Sequence, residues 1–339
     1  MGYARWVARQ SAVKMGGTEE VIEGGLEVMP EVRTWLEWQI QRKNRSPMAF
    51  AIIGAHIGLL LWIDKYWLGN NIDSVFDIES DNTESGWAAW NTFLILTNPH
   101  VDFFRVLRKQ YQFAVGKLVR LEPPARSQRG EGPLQRLAEH LVILYVRGEL
   151  SRSEDRELFG QFIRESHSFL RIHAIRFAGN TLLREDDKLT EPYTTRFRSL
   201  WELYWPTFGA DDVLHGDESA PYMPWFTCKC LPADWQLTNF DAYVRASLPS
   251  RRDDVFVMVR MIDMARLDPS RTLALLDTLV RQDDTGRFLG EREAMRGILS
   301  IAMRAGGNAR HLAERLIDHL GRCGQVEYGE LLQISVEAG

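Results

Sequence analysis

Two cysteines separated by a single lysine, Cys228 and Cys230, form the pair in this sequence that comes nearest to a metal or redox motif. A structural zinc site requires a second pair of Cys or His ligands at a suitable spacing. The sequence offers His215 and the distant Cys323 instead. We therefore predict partly buried free thiols in an aromatic segment and no metal site, with a redox role as the alternative.

A second candidate for metal binding is the pair His311 and His319, which lie eight residues apart with Glu314 between them. Eight residues of helix span about 12 Å, which is too far for both side chains to ligate one zinc ion. Paired aspartates occur beside predicted helix ends or loops at Asp186-Asp187, Asp211-Asp212, Asp253-Asp254 and Asp283-Asp284. Nothing in the sequence brings them together with a lysine, as a metal-dependent nuclease requires. We interpret these groups as surface histidines and solvated carboxylates.

Motifs of common enzymes are absent from the sequence, which has no GxxxxGK[ST], GxGxxG, GxSxG or HExxH. Acid–base chemistry would have to come from helix-borne histidines, either His167 with His173 or His140 with Glu139. Histidines of this kind more often lie at a helix surface, or in a core where their hydrogen bonds are satisfied, than in a catalytic site. The sequence therefore predicts no catalytic residue and no cofactor, and an enzyme with a site lacking any local motif is the alternative.

The composition is that of a globular protein: 339 residues, 45% of them hydrophobic, with 41 Lys and Arg against 46 Asp and Glu. The formal net charge of -5 argues against a general nucleic-acid binder, which needs a basic excess. Three cysteines are too few for a secreted disulfide scaffold, and the first residues lack the apolar stretch of a signal peptide. We expect a cytoplasmic protein with no nucleic-acid partner.

The most apolar segment, residues 48–63, is predicted to form a buried helix. It is shorter than the roughly 20 residues that cross a bilayer, it contains His56, and it ends at Asp64 and Lys65. A helix that is apolar all round lies inside a protein or a membrane, and here the length favours the protein. No membrane partner is expected.

Apolar residues recur at steps of three and four along the chain, which is typical of helices that bury one face. The segments with this pattern are 99–120, 133–147, 253–266, 269–281, 291–304 and 308–322. Pro99, Pro133 and Pro269 stand where a helix tolerates proline best, in its first turn. No convincing alternation with a period of two appears, so the sequence predicts an all-α fold.

The short connections between these segments predict antiparallel helix pairs, 253–266 with 269–281 and 291–304 with 308–322. The second helices of these pairs begin at Pro269 and Asn308, 39 residues apart, within the range of two-helix solenoid repeats. We predict a solenoid-like stack of antiparallel helix pairs with one long aromatic-rich loop. An irregular helical domain is the alternative.

The predicted loop, residues 206–235, is rich in proline, glycine and aromatic residues. It separates an N-terminal helical-repeat region (1–205) from C-terminal helical repeats (236–339), and one continuous solenoid is the alternative division. A loop of this length in a compact domain is usually functional or ordered by its own side chains.

Aromatic residues concentrate around the predicted loop. They form either a packed hub or a partner-binding patch, because Trp and Tyr contribute large buried area and are also common interface hot spots. The candidate protein-binding residues are Trp201, Trp205, Tyr222, Trp225, Phe226 and Trp235. Six N-terminal tryptophans fit core positions on helix faces: Trp35, Trp38, Trp62, Trp67, Trp87 and Trp90. Trp87, Asn91 and Leu94 share one face.

Aromatic residues and helix caps follow one another along the chain in a characteristic order. They lie in the stretches IGLLLWIDKYWL (57–68), GWAAWNTFLILTNPHVDFFRVLRKQYQFAV (86–115), LWELYWP (200–206), LDPSRTLALLDTLV and ARHLAERLIDHLG. This order resembles the helical-repeat (HEAT/TPR-like) C-terminal sensor arms of large bacterial antiphage defence proteins. In those proteins a sirtuin-like or nuclease effector, or a signal-transducing NTPase, lies upstream. The resemblance carries over no catalytic residue. Because such arms belong to much longer chains, it implies either a fragment of a longer protein or a stand-alone subunit with a separate effector.

The predicted function is accordingly a non-enzymatic protein-recognition or regulatory module of a bacterial antiphage defence system. It would bind a phage protein or an effector subunit and shift the balance between an inhibited and an active assembly. The alternatives are the enzyme described above and a purely structural scaffold that holds a homo-oligomer together.

Overall fold

The computed structural model describes residue 2 and residues 24–80, 84–118, 132–150, 152–185, 188–207, 222–246, 254–282 and 291–334. Within these ranges the chain forms helices and no β-strand, which confirms the predicted all-α fold class. His215, residues 208–221 of the predicted loop, and the aspartate pairs except for Asp254 lie outside these ranges.

The chain divides into two compact units, Met1–Arg171 and Ile172–Gly339. After a 3-10 turn at Gly25–Val28, the first unit contains α1 (Pro30–Gln41), α2 (Pro47–Ala55), α3 (Ile57–Ile63), α4 (Lys65–Val75), α5 (Glu84–Leu96), α6 (Val101–Val106), α7 (Arg108–Leu118), α8 (Pro133–Arg147) and α9 (Ser153–Glu165). The division between the units falls inside α10 (Ser168–Arg184).

The helices of the second unit are α11 (Tyr193–Tyr204), α12 (Met223–Thr227), α13 (Ala233–Ala246), α14 (Asp254–Leu267), α15 (Pro269–Gln282), α16 (Arg292–Ala305) and α17 (Gly307–Arg322). Two 3-10 helices, Trp205–Thr207 and Val326–Gln333, accompany them. The described part of the predicted loop 206–235 therefore contains α12 and the start of α13. The three-part division of the chain into 1–205, 206–235 and 236–339 stays a prediction.

The apolar segment 48–63 forms two helices instead of the single predicted one. His56, with φ −115° and ψ 19°, ends α2 and precedes α3. The segment is nevertheless buried along one side through Phe50, Ile53, Ile57 and other apolar residues. None of the described helices is both long enough and apolar enough to cross a membrane.

The first unit is organised around a close crossing of α2 and α5. Gly54 of α2 lies so near the backbone of Ala89 that a Cβ atom at position 54 would overlap the Ala89 carbonyl. This contact fixes the position of α5, which carries Trp87, Asn91 and Leu94. Because α2 and α5 are separated in sequence by two other helices, the first unit is not a simple succession of neighbouring pairs.

Proline and glycine set several helix ends where the sequence predicted them. Pro133 and Pro269 each begin a helix, and Asp268 accepts a hydrogen bond from the Arg271 amide at the start of α15. The prediction for Pro99 is wrong: α6 starts at Val101, because the His100 ring accepts from the Asp102 amide and caps the helix. The predicted helix over 99–120 is further divided between α6 and α7.

The two predicted C-terminal helix pairs are confirmed, with ends that differ from the prediction by one residue: α14 with α15, and α16 with α17. The two pairs stack in register: the first helices, α14 and α16, contact each other, and so do the second helices, α15 and α17. Gly306 adopts the positive φ of 72° at the turn between α16 and α17. Residues 254–282 and 291–322 thus form two stacked pairs, and a solenoid over the whole chain stays a prediction.

Candidate functional site

The structure brings the six candidate binding residues into one group, which we call the aromatic hub: Trp201, Trp205, Tyr222, Trp225, Phe226 and Trp235. Trp201 lies at its centre, with ring centroids 5.3 Å from Trp225, 5.3 Å from Phe226 and 5.6 Å from Trp205. The hub joins α11, α12 and α13.

Burial decides how much of the hub a partner could reach. Trp201, Tyr222, Trp225 and Phe226 are buried, whereas Trp205 and Trp235 are half-buried. The polar atoms of the buried rings have partners inside the protein: the Trp201 indole donates to Asn239, and the Trp225 indole donates to the Ile175 carbonyl. The geometry favours the packing interpretation of the hub, and a binding role for it stays a prediction that rests on its two half-buried tryptophans.

A buried glutamine orders the connection beneath the hub. The side-chain amide of Gln236 donates to the carbonyls of Trp225 (2.9 Å) and Cys228 (2.8 Å), and its oxygen accepts from Arg260 (2.8 Å). Arg260 also donates to the Leu231 carbonyl. Gln236 thus satisfies two carbonyls at the end of α12, and Arg260, which it holds, satisfies a third carbonyl in the turn before α13, because buried backbone groups need partners.

Replacing Gln236 with leucine is expected to lower the free energy of unfolding by about 2 kcal/mol, because two buried carbonyls and the Arg260 guanidinium lose a partner. Urea unfolding followed by near-ultraviolet circular dichroism measures this change and reports on the hub rings. Gln333→Leu is the matched control, since Gln333 is exposed and its change should stay within about 0.5 kcal/mol. Equal effects of the two substitutions would contradict the role assigned to Gln236.

The prediction that the N-terminal tryptophans all lie in the core is wrong for two of them. Trp90 and Trp67 are buried and Trp62 and Trp87 are half-buried, but Trp35 and Trp38 of α1 are 37% and 54% exposed. They border a shallow surface groove with Pro30, Glu31 and Thr34. The buried residues of α1, Leu36 and Gln39, lie on the adjacent face of the helix. The face that carries Glu31, Trp35 and Trp38, at positions i, i+4 and i+7, is therefore exposed to solvent.

A deeper pocket lies in the first unit, between α5, α7 and α8. It has a volume of about 290 Å³ and is lined by Trp87, Trp90, Asn91, Leu94, Ala114, Lys117, Leu118, Pro133, Leu134 and Leu137. The shared face of Trp87, Asn91 and Leu94, predicted from their spacing, forms one wall. The Lys117 ammonium lies 4.2 Å from the centroid of the Trp87 ring, within the range of a cation–π contact.

A buried histidine, His140 of α8, packs against the aromatic core of the first unit. The Tyr111 hydroxyl lies 2.8 Å from its Nδ1, and its ring meets Phe93 edge to face. Burial, with a contribution from the Arg136 charge, lowers the pKa of His140 to about 4, and burial also raises the pKa of Tyr111. His140 is therefore neutral, and its Nδ1 shares a hydrogen bond with the Tyr111 hydroxyl.

The described histidines include His167 and His173, the other pair suggested for acid–base chemistry. His167 stacks on Phe169, and His173 lies beside Arg176. None of the three cysteines forms a disulfide, and Cys228 is buried, as predicted. In the ranges that the structure describes, no group of three His, Cys, Asp or Glu side chains could hold a metal ion.

Comparison of the chain with models of protein families, with curated proteins and with solved structures finds no match.

Proposed function

We propose that this chain is a non-enzymatic protein-recognition module whose contact surface is the exposed face of α1. The observation that carries the proposal is the pair of tryptophans, Trp35 and Trp38, exposed one helical turn apart beside a groove. Tryptophan is the residue type most enriched among interface hot spots, and two of them on one turn of a surface helix are unusual in a region that makes contacts only with water.

The neighbouring charges define the partner's chemistry. The Arg42 guanidinium lies 4.4 Å from the Trp38 ring centroid, which holds this indole in place. Glu31 is exposed and forms no ion pair with any described residue. The groove thus suits a protein segment that places an apolar side chain against the two indoles and a basic side chain near Glu31.

In its more specific form, the proposal assigns the module to the cytoplasm of a bacterium and to an antiphage defence system, where it binds a phage protein or an effector subunit. The order of the landmarks at 57–68, 86–115 and 200–206 supports this assignment by resemblance. Binding would shift the population between an inhibited and an active assembly. Because fold-level likeness does not fix function, the partner must be identified directly.

The double substitution Trp35→Ala with Trp38→Ala is expected to weaken partner binding at least about 30-fold, the loss typical of a hot spot. The partner is first captured on the tagged protein from uninfected and phage-infected cells, purified, and then titrated calorimetrically. Tyr66→Ala is the matched control, because Tyr66 is 78% exposed in the same unit and does not line the groove.

A third variant separates the two aromatic surfaces. If Trp205→Ala with Trp235→Ala abolishes binding and the α1 variant binds normally, the contact surface is the hub and the assignment to α1 fails. Concentration-dependent self-association without any partner, measured by sedimentation, would instead favour the oligomerisation scaffold. Nucleotide turnover by the pure protein would favour the enzyme.

A further inference from the structure

We propose that the pocket between α5, α7 and α8 binds a small amphipathic anion, an aromatic or aliphatic body that carries one carboxylate. This site shares no lining residue with the groove of α1 and is independent of the proposed protein recognition. Three observations support it: the nature of the walls, the position of Lys117, and the unused hydrogen-bonding groups.

The walls of the pocket are apolar and built by helices. Trp87 and Trp90 supply indole surface from α5, and Leu94, Ala114, Leu134 and Leu137 are among the aliphatic residues that complete the lining. The volume of about 290 Å³ lies at the lower end of the range for small-molecule sites, so the pocket suits a ligand smaller than a nucleotide. An apolar body would displace water from these walls, which is favourable in proportion to the area covered.

Two polar side chains line the pocket, and both have free hydrogen-bonding capacity. The Lys117 ammonium lies over the Trp87 ring and forms no ion pair with a described carboxylate. The Asn91 side-chain amide makes no hydrogen bond within the described ranges. An ammonium donor and an amide donor in an apolar pocket complement a single carboxylate, whereas a cationic ligand would be repelled by the positive charge of Lys117.

Lys117 could also stabilise its own helix, and the experiment must distinguish that role from ligand binding. Lys117 lies in the last turn of α7, where a cation interacts favourably with the helix dipole. That role affects the stability of α7 but does not discriminate between ligands by charge. The distinguishing property is therefore the difference in affinity between ligands that share one apolar body and differ in charge.

The experiment is calorimetric titration of the full chain with 1-naphthoate, the neutral 1-naphthylmethanol and the cationic 1-naphthylmethylamine. We expect naphthoate to bind at least about tenfold more tightly than the alcohol, because a hydrogen bond to a charged group adds that much. Lys117→Met should remove this difference and leave the alcohol unchanged, whereas Lys117→Arg should keep it. Leu134→Trp, which fills the pocket from a half-buried position, should weaken both ligands.

Lys65→Met is the matched control, because Lys65 also lies over an aromatic ring, Tyr66, but does not line the pocket. Melting temperatures of all variants show that each one is folded. The proposal is overturned if naphthoate gives no saturable binding, if acid and alcohol bind equally well, or if Lys65→Met and Lys117→Met have the same effect. None of these results bears on the groove of α1, so the two proposals fail separately.

Discussion

Gly54→Ala is expected to destabilise the first unit by about 3 kcal/mol, at the upper end of the range for overpacking a core. The added methyl group would overlap the Ala89 carbonyl, which is main chain and cannot rotate away. The helices α2 and α5 must therefore separate, and every side chain packed between them loses contact. A shift of the urea midpoint at constant slope measures the effect.

Gly69→Ala is the control for this substitution. Gly69 lies within α4, is exposed, and has no atom within 4 Å of the position its Cβ would take. The same chemical change should there stabilise the protein by up to about 1 kcal/mol, because alanine favours the helix. Hydrogen exchange should show increased opening in residues 47–96 for Gly54→Ala alone. If both substitutions shift the midpoint in the same direction, the close approach of α2 and α5 is not the cause.

The contact at Gly54 also affects the naphthoate titration. Because α5 carries Trp87, Asn91 and Leu94, a displaced α5 changes the wall of the pocket. We therefore expect Gly54→Ala to weaken naphthoate binding, and Gly69→Ala to leave it unchanged.

The sequence best predicts the helices that have a periodic apolar pattern and a proline or glycine at their ends. For α8 and for α14 to α17, an apolar stripe is bounded by proline or glycine, and the predicted ends lie within one residue of the observed ones. The break at His56 was missed, because an uninterrupted apolar run has no periodicity that would mark a change of helix. The predicted start of α6 is wrong because the pattern places Pro99 in the first turn, whereas His100 caps the helix one residue later.

The candidate sites were only partly predictable, for a related reason. The shared face of Trp87, Asn91 and Leu94 follows from spacing within one helix. That Lys117 reaches the same pocket depends on how α7 packs beside α5, which no local pattern encodes. Likewise, tryptophans at helical spacing have the same pattern whether a neighbouring helix covers them, as at Trp90, or leaves them exposed, as at Trp38.

Acidification is expected to destabilise the protein through His140. The unfolded chain takes up a proton on this histidine near its ordinary pKa of 6.5, whereas the folded chain keeps it neutral down to about pH 4. Lowering the pH through this window therefore favours the unfolded state. The contribution of His140 to stability is complete above about pH 6.5 and falls by about 3 kcal/mol by pH 4.

The variant that tests this is His140→Gln, whose amide can still form a hydrogen bond with the Tyr111 hydroxyl but cannot titrate. Urea unfolding at a series of pH values should give a shallower loss of stability between pH 6.5 and 4.5 for the variant than for the wild type. Carboxylates titrate in the same range, so the informative quantity is the difference between the two curves. His311→Gln, at an exposed histidine, should retain the wild-type dependence.

The same experiment decides whether His140 and Glu139 can act as the catalytic pair of an enzyme. A base must reach its substrate, but His140 is 1% exposed and its Nδ1 is engaged in a hydrogen bond with Tyr111. If the His140→Gln curve is flatter as expected, the histidine is a neutral core group whose burial costs stability in acid, and this catalytic pair loses its base. Parallel curves would mean that water reaches the ring in solution, and the enzyme hypothesis would then gain the accessible histidine that it needs.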